Sequence, residues 1–331
     1  MNGFERYCAV LRGERADQVP RTPILMQFAA EYCGADYAAF AADYQTLVEA
    51  NLVCAMDFDF DQVSCISDPY RETQGFGAEI EYMPDGPPRS THPLQENRNF
   101  AKLLRPDPLR SERMLDRVKA VEEFKKQAGG QYSILGWVEG PAAEAADLRD
   151  VTNFMMDLMD DEAYAGDLMD LCLATAIDFA RVQVAAGADT IGIGDAVASQ
   201  MSPGIYEKLI QPREKQLVNA IQDMGAWAKL HICGNITHLL PAIADLQVDV
   251  LDLDHMVDLA EARRVVGPRV TLAGNVDPVA VVRNGTPAVI REAVQRAHAA
   301  AGNPFLVNAG CEIPSGTPVV NLKALCAPLA V

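Results

Sequence analysis

Eight short β-rich runs, each separated from the next by a longer helical stretch, limit this chain to a small set of architectures. The runs are RTPILMQF (21–28), FDQVSCI (60–66), YSILGWVEG (132–140), ADTIGIGD (188–195), WAKLHICG (227–234), VDVLDLDH (248–255), RVTLAGNVD (269–277) and PFLVNAGCEI (304–313). Most are continuous apolar runs rather than clean alternations, the pattern of parallel strands buried on both faces. Between them, 36–56 and 168–187 read as long helices, the second ending at Gly187 as a helix C-cap does. The stretch 203–225 opens with Pro203 near its first turn and closes at Gly225; Pro212 inside it predicts a kink or a division. This alternation predicts an α/β fold, a single (β/α)8 TIM barrel. A doubly wound sheet competes, but it usually has fewer strands and a Gly-rich first turn, which is absent here.

Residues 67–110 break the rhythm with many Pro and Gly and a hairpin signal at PDG (84–86). They are expected as an insertion after the second strand, packed over one end of the barrel as a lid. The residues before 21 form an N-terminal extension, and 1–331 is one domain. No apolar run approaches the roughly 18 residues needed to span a membrane. The N-terminus mixes Glu5, Arg6, Arg12 and Glu14 into its apolar positions, unlike a signal peptide, so a cytoplasmic protein is expected. The net charge of -18 argues against nucleic acid as a partner. The chain's eight cysteines are scattered and read as reduced thiols. Cys8, Cys33, Cys54, Cys65, Cys172 and Cys326 read as small buried apolar residues.

In a barrel of this kind, chemistry sits at the C-terminal ends of the strands. Those ends carry Gln27, Asp68, Glu139, Asp195, His231 with Cys233, Asp254 with His255, Asn275 with Asp277, and Cys311. Singly, each has a bland reading: Asp195 and Asp277 as helix N-caps, Glu139 as a turn residue, Asp254 as a solvated loop carboxylate. Polar groups at nearly every strand end are harder to dismiss, because such crowding costs stability through desolvation. Strand alternation puts His231 and Cys233 of HICGN on one face, half of a zinc site. Cys311, ending the last strand, supplies a third ligand three strands away. Three protein ligands leave an open position, the catalytic arrangement, unless Asp254 or His255 fills it as a fourth.

The segments RYCAVLRGERADQVPRTPI, GWVEGPAAEAADLRDVTNFMMDLMDDE, AGADTIGIGDAVASQMSPGIYEKLIQP, HICGN, VDLAEARRVVG and TLAGNVDP resemble the uroporphyrinogen decarboxylase superfamily, in order from about residue 4 onward. Within it, His231-x-Cys233 followed by Cys311 is similar to the zinc motif of the methylcobamide:coenzyme M methyltransferase branch. The resemblance implies a zinc-dependent methyltransferase that moves methyl between a methylated corrinoid and a small thiol such as coenzyme M or homocysteine, through a zinc-bound thiolate. Glu139, Asp195 and Asp68 are then the catalytic candidates, and Gln27, Asn275 and Asp277 the candidates for holding the cofactor. The runner-up readings are a methyl-donor:corrinoid protein methyltransferase of the O-demethylase type and the decarboxylase itself. A non-catalytic, zinc-stabilised barrel is the third.

Authentic decarboxylases carry an arginine-rich stretch after the first strand that holds the substrate's carboxylates. Here the stretch is MQFAAEYCG, with Glu31 and no arginine, which receives an octacarboxylate poorly. Asp68 falls near the decarboxylase's catalytic aspartate. Chains that carry their own cobalamin usually show Asp-x-His-x-x-Gly. The nearest approach is DLDHMVD, out of register and without the glycine. The corrinoid is therefore expected on a separate carrier protein.

Overall fold

The computed structural model describes residues 1–331, the side chain of Lys102 excepted. Seven of the eight apolar runs become parallel strands of one sheet, in the order β1-β4-β5-β6-β7-β8-β9. They are β1 (Gln62–Ser64), β4 (Ser133–Glu139), β5 (Thr190–Gly194), β6 (Trp227–Ile232), β7 (Val250–Leu253), β8 (Thr271–Val276) and β9 (Phe305–Ala309). Every residue of β4 and β5 is buried, as continuous apolar runs between helices require. Two further strands, β2 (Ile80–Glu81) and β3 (Arg89–Ser90), pair antiparallel on their own.

The run 21–28 is the exception, and proline is the reason. Pro20 and Pro23 have no N–H to donate, so the ladder cannot extend beyond a single bridge, Arg21 to Val307. Val307 N–H donates to the Pro20 carbonyl and Thr22 N–H to the Val307 carbonyl, both at 2.8 Å. On the other side, Asp61 N–H donates to the Arg21 carbonyl at 2.8 Å. One short segment thus touches β9 and the entry to β1, and the seven-stranded sheet is curled round on itself. From Gln27 the chain is already helical (Gln27–Tyr32), so Gln27 does not end a strand.

Local chemistry explains the helices. The stretch 36–56 is two helices, Tyr37–Ala42 and Tyr44–Phe58. They part at Asp43, whose carboxylate caps the second through Thr46 N–H. The long helix Glu162–Ala186 ends at Gly187, whose φ of +120° suits glycine. Pro212 divides 203–225: a π turn over Tyr206–Ile210 leads into a helix at Gln211–Asp223, with the proline in its first turn.

The N-terminal helix Gly3–Leu11 starts with a capping box between Asn2 and Glu5. Its Tyr7, Ala9 and Val10 pack on Val250, Ala273 and Leu306 near the starts of the strands. Beside it, Arg6 and Arg21 share the buried carboxylate of Asp61. That end of the sheet is stoppered, which leaves the opposite end for a site. Within 67–110, the β2–β3 ribbon carries PDG at its tip. The tip docks on the first helices through Tyr37 N–H to the Pro84 carbonyl (2.9 Å) and Gln27 Nε2 to the Asp85 carbonyl (2.8 Å). Among the described residues, no helix is long and apolar enough to cross a membrane.

The glycines of TIGIG have a packing role. The Trp137 ring of β4 lies across Gly192 and Gly194 of β5, and a Cβ on Gly192 would fall well inside contact with the six-membered ring. Gly192→Ala is expected to cost about 1–3 kcal/mol through overpacking. Gly86→Ala, with open space around it, should change stability by under about 0.5 kcal/mol. Urea unfolding of the two variants checks this; equal stabilities would mean that the ring is not held there.

Candidate metal centre and its cavity

His231 is the fifth residue of β6, with Cys233 just beyond the strand end, and Cys311 follows β9 by two residues. In the sheet order β6-β7-β8-β9 these ends lie three strands apart, and the curl of the sheet brings them face to face. His231 Nε2 is 3.1 Å from Cys233 Sγ, which is 3.9 Å from Cys311 Sγ; one ligand atom from each residue lies within 4.8 Å of the others. A tetrahedral zinc with Zn–S of about 2.3 Å sets its ligand atoms roughly 3.5–3.8 Å apart. The triad fits that polyhedron, and its one nitrogen and two sulfurs suit a soft or borderline ion.

Two glycines let the backbone deliver these ligands. Gly234 takes a φ of +92° directly after Cys233, and its N–H donates to Asp254 Oδ2 at 2.9 Å. Gly310, before Cys311, runs so close to the His255 amide that no Cβ fits between them.

Beneath the triad is a fully buried polar layer. Asp252 of β7, in register with His231, takes an ion pair from Lys229 Nζ of β6 at 2.8 Å. It also accepts from Asn308 Nδ2 of β9 at 3.1 and 3.2 Å. His231 Nδ1 is 3.2 Å from the Asp252 carbonyl oxygen and 3.8 Å from its carboxylate. A ring whose Nδ1 donates there offers Nε2 as a ligand, the usual arrangement behind a metal-bound histidine. Without metal, the two thiols share one proton. Hydrogen bonding from Cys233, together with His231, brings Cys311 down to about 4, while Cys233 is pushed up by the same bond and by burial.

The triad opens into a cavity of about 160 Å³, also lined by Ile24, Met26, Ile66, Asp68, Pro69, Trp137, Glu139 and Glu312. A larger groove of about 670 Å³ runs between helices Tyr44–Phe58 and Glu112–Ala128, but its walls hold no cysteine or histidine. Of the candidate acids, Glu139 and Asp68 reach the small cavity. Burial, outweighing the attraction of Arg71, raises Glu139 well above the usual carboxylate range. It accepts from Arg71 Nη2 at 2.7 Å and from the Trp137 indole at 3.1 Å. Asp68 is the opposite case. Burial disfavours its charge, but two bonds from Arg113 at 2.7 and 2.6 Å, with one from Ser67, hold it well below that range.

The remaining candidates are engaged elsewhere. Asp195 is fully buried and caps a neighbouring helix, accepting from Ala142 and Ala143 N–H at 3.3 and 2.7 Å. Asp277 caps the turn after β8 through Val279 and Ala280 N–H. Asn275 Nδ2 donates to the carbonyls of Asp254 and Val257, and Gln27 N–H donates to Glu312 Oε1. Neither candidate fourth ligand joins the triad. Asp254 accepts from Gly234 and Met256 N–H and lies 2.9 Å from His255 Nδ1; His255 Nε2 lies 3.6 Å from Asp277. Glu31 binds Ser315 and Gly316 at the rim. Sequence reasoning passed over Lys229, Asp252, Asn308, Arg71, Arg113 and Glu312. A charged residue inside an apolar run, as in AKLHI and VLDLD, is the signal that marks the first two.

With residues 2–328 the chain matches the model of the uroporphyrinogen decarboxylase (URO-D) family. It belongs to that family. Among its relatives is the methylcobamide:CoM methyltransferase MtaA of Methanosarcina barkeri, 27% identical over 97% of this chain and 96% of that protein. A uroporphyrinogen decarboxylase of Psychromonas ingrahamii is 26% identical over 95% of this chain and 93% of its own. The solved structure of a methyltransferase from Methanosarcina mazei superposes with a TM-score of 0.91 at 26% identity, covering 99% of this chain and 98% of the other. The expected resemblance to the methylcobamide:CoM branch therefore holds across the whole length, while the family contains both chemistries.

Two outcomes follow from this geometry. Cys311→Ala should lose most bound zinc by metal analysis while Cys65→Ala keeps it. Unchanged metal content in Cys311→Ala would dismiss the triad. The second outcome concerns pH. Burial raises Asp147 to about 8, Asp195 to about 7 and Asp189 to about 6. Each favours the folded state most fully below its unfolded value of about 4 and loses that contribution as pH rises through the folded value. Cys311 acts in the opposite sense but is outnumbered. The Tm should therefore fall by several degrees from pH 5.5 to 8.5, and a rise would refute the burial of these acids.

Proposed function

We propose that this protein is a zinc-dependent methyltransferase that moves a methyl group between a methylated corrinoid and a small thiol. The observation that carries the reading is the His231, Cys233 and Cys311 triad opening into a small cavity with no fourth protein ligand among the described residues. The names of the relatives favour it too: MtaA of Methanosarcina barkeri is a methylcobamide:CoM methyltransferase. We further read the Pro20–Thr22 segment as the remaining stave of a (β/α)8 barrel, which makes the triad's position the barrel mouth.

Zinc held by the triad would bind an incoming thiol as its thiolate at neutral pH. The chain's residues prepare that event. Cys233 and Cys311, as cysteinates, offset the ion's formal charge, so a third thiolate keeps its nucleophilicity. His231 is fixed through Nδ1 and presents Nε2. Ile24, Met26, Ile66 and Trp137 keep water from the sulfur. A thiolate received there would use a sulfur electron pair to form the S–C bond, while the Co–C bond of the corrinoid substrate would break with its pair left on cobalt, taking methyl-Co(III) to Co(I). The methyl must come within about 3–3.5 Å of the sulfur. We assign delivery to a separate corrinoid carrier protein, with the β2–β3 ribbon at the rim as its docking surface or lid.

A second reading has a specific observation behind it. Glu139, whose hold on a proton is strengthened by burial, faces the cavity and suits protonation of a departing oxygen or nitrogen, as transfer from a methyl donor to the corrinoid requires. Decarboxylation is less well supported. A cavity of about 160 Å³ is far smaller than a tetrapyrrole needs. Asp68 is tied to Arg113, and Arg71 to Glu139. A purely structural zinc would need a fourth ligand, which Asp254 and His255 are not positioned to give.

Zinc-loaded protein incubated anaerobically with methylcobalamin and a thiol should convert the methylcobalamin spectrum to that of cob(I)alamin, with thioether formed in equal amount. Cys311→Ala should fall to background, and uroporphyrinogen should not be turned over. Decarboxylation at the rate of an authentic decarboxylase, without methyl transfer, would reverse the assignment.

A further inference from the structure

We propose that Cys33 and Cys54 are a redox-active dithiol, a site of disulfide formation separate from the metal triad and independent of the methyl-transfer reading. Cys33 departs from its expected burial. It caps the end of the helix Gln27–Tyr32 and is exposed, whereas Cys54, on the helix Tyr44–Phe58, is fully buried. The Cys33 Sγ lies 3.8 Å from the Ala50 carbonyl oxygen. Ala50 precedes Cys54 by one helical turn on the same face, and in a regular helix that carbonyl receives the Cys54 N–H. Side chains tilt toward the N-terminus of their helix, so Cys54 leans back over the turn where the Cys33 sulfur rests. The two thiols are hydrogen-bonded neighbours there. The packing that brings them together needs no cross-link: Tyr32 OH donates to Asp57 Oδ2 at 2.8 Å, and the Phe28 and Tyr32 rings lie 5.7 and 5.0 Å from that of Phe58.

One exposed and one enclosed thiol divide the reaction into two steps. Cys33, as its thiolate, attacks a small disulfide RSSR, forming a mixed disulfide and releasing one RS⁻. The Cys54 thiolate then attacks the Cys33 sulfur and expels the second RS⁻. Two electrons pass from the protein's sulfurs to the reagent, and the two protons end on the released thiols. An accessible thiol beside a resolving one is the usual layout of such sites. Burial, with Glu49 and Asp57 nearby, raises Cys33 above the ordinary thiol range, so the first step is slow beside that of a free thiol. The bond would grip the strap next to the cavity. Met26, in the cavity wall, caps the start of the helix Gln27–Tyr32; Gln27 holds Glu312 and the ribbon tip at Asp85, and Glu31 holds Ser315 and Gly316. A Cys33–Cys54 disulfide fixes the other end of that helix to Tyr44–Phe58.

The test uses the zinc-loaded full chain, incubated anaerobically with excess 2-hydroxyethyl disulfide at pH 8. The product is then capped with N-ethylmaleimide in denaturant and cleaved after glutamate. Cleavage at Glu31, Glu49 and Glu72 places Cys33 in 32–49 and Cys54 in 50–72. Mass spectrometry should find these two peptides joined, with fragmentation assigning the bond to Cys54 and not Cys65, and dithiothreitol should part them. Cys54→Ser should stop with Cys33 carrying the hydroxyethylthio group, and Cys33→Ser should leave Cys54 a free thiol. Oxidation should raise the Tm of the wild type by several degrees more than that of Cys33→Ser, a comparison that cancels any change at the triad. Wild-type Cys33 halted at the mixed disulfide, with Cys54 still a thiol, would overturn the proposal. A bond from Cys54 to Cys65 or Cys326 instead, or a Cys33–Cys54 bond that lowers the Tm, would do the same.

Discussion

The buried carboxylate of Asp252 is the interaction on which the active end of this molecule depends. It sits on β7, one of the two strands between those that carry the triad, paired with Lys229 on one side and Asn308 on another, while His231 leans on the carbonyl of the same residue. A lysine enclosed in a strand with no counterion would deprotonate or drive the strand apart. With Asp252 present, the same lysine ties β6 to β7, and Asn308 ties in β9. The arrangement is costly in desolvation, and hydrophobic residues of the same volume would serve packing equally well. Its distinctive product is orientation: by tying β7 to β6 and β9 it holds in place the Asp252 carbonyl that His231 Nδ1 meets, which leaves Nε2 facing the sulfurs.

The far side of the cavity is built on the same logic with opposite chemistry. Glu72, Glu139 and Glu144 are all buried, with Asp147 and Asp195 close by, and Arg71 is the cation within reach of Glu72 and Glu139. One guanidinium cannot balance that many carboxylates, and burial raises Glu72, Glu139 and Glu144 above the usual carboxylate range. The Glu139 wall therefore favours the protonated form of its acids, whereas the His231 wall favours deprotonated sulfur. Two such environments side by side in one small cavity are the recurring condition for assigning acid and base roles.

Much of this was legible in the sequence, and the limits have physical causes. Seven of eight strands were readable because continuous apolar runs have few other uses in a chain with helices between them. The eighth failed because Pro20 and Pro23 withhold the donors that a ladder needs, a local veto over a hydrophobic pattern. The triad was readable because His-x-Cys at a strand end limits where a third sulfur can come from. Asp195 and Asp277 were ambiguous, since an Asp after a strand serves a helix N-terminus as readily as a substrate. The structure gives both to capping, with Asp195 capping a helix from another part of the chain, which no local pattern reveals. Arg71 lies in the irregular 67–110 stretch, Arg113 near the start of the helix Glu112–Ala128 and Glu312 at the end of an apolar run, and no local pattern there points to the cavity, so only the three-dimensional arrangement shows what they do.

The contrast between the two walls bears on direction. On the methyl-transfer reading, a thiol acceptor must lose a proton before its sulfur attacks, and the His231 wall favours that loss. A methyl donor of the ether or amine kind must gain a proton as its heteroatom departs, and only the Glu139 wall can supply one. Glu139 is fixed by Arg71 and Trp137, so it cannot swing across to the triad. A sulfur bound at the triad thus sits opposite an acid it does not need, and a heteroatom placed at Glu139 sits opposite a metal centre able to bind only soft partners well. The small volume between them admits one substrate at a time. The wall that a bound molecule contacts then determines which half-reaction the cavity serves, while the net direction follows from the free energies of the methyl donor and acceptor themselves.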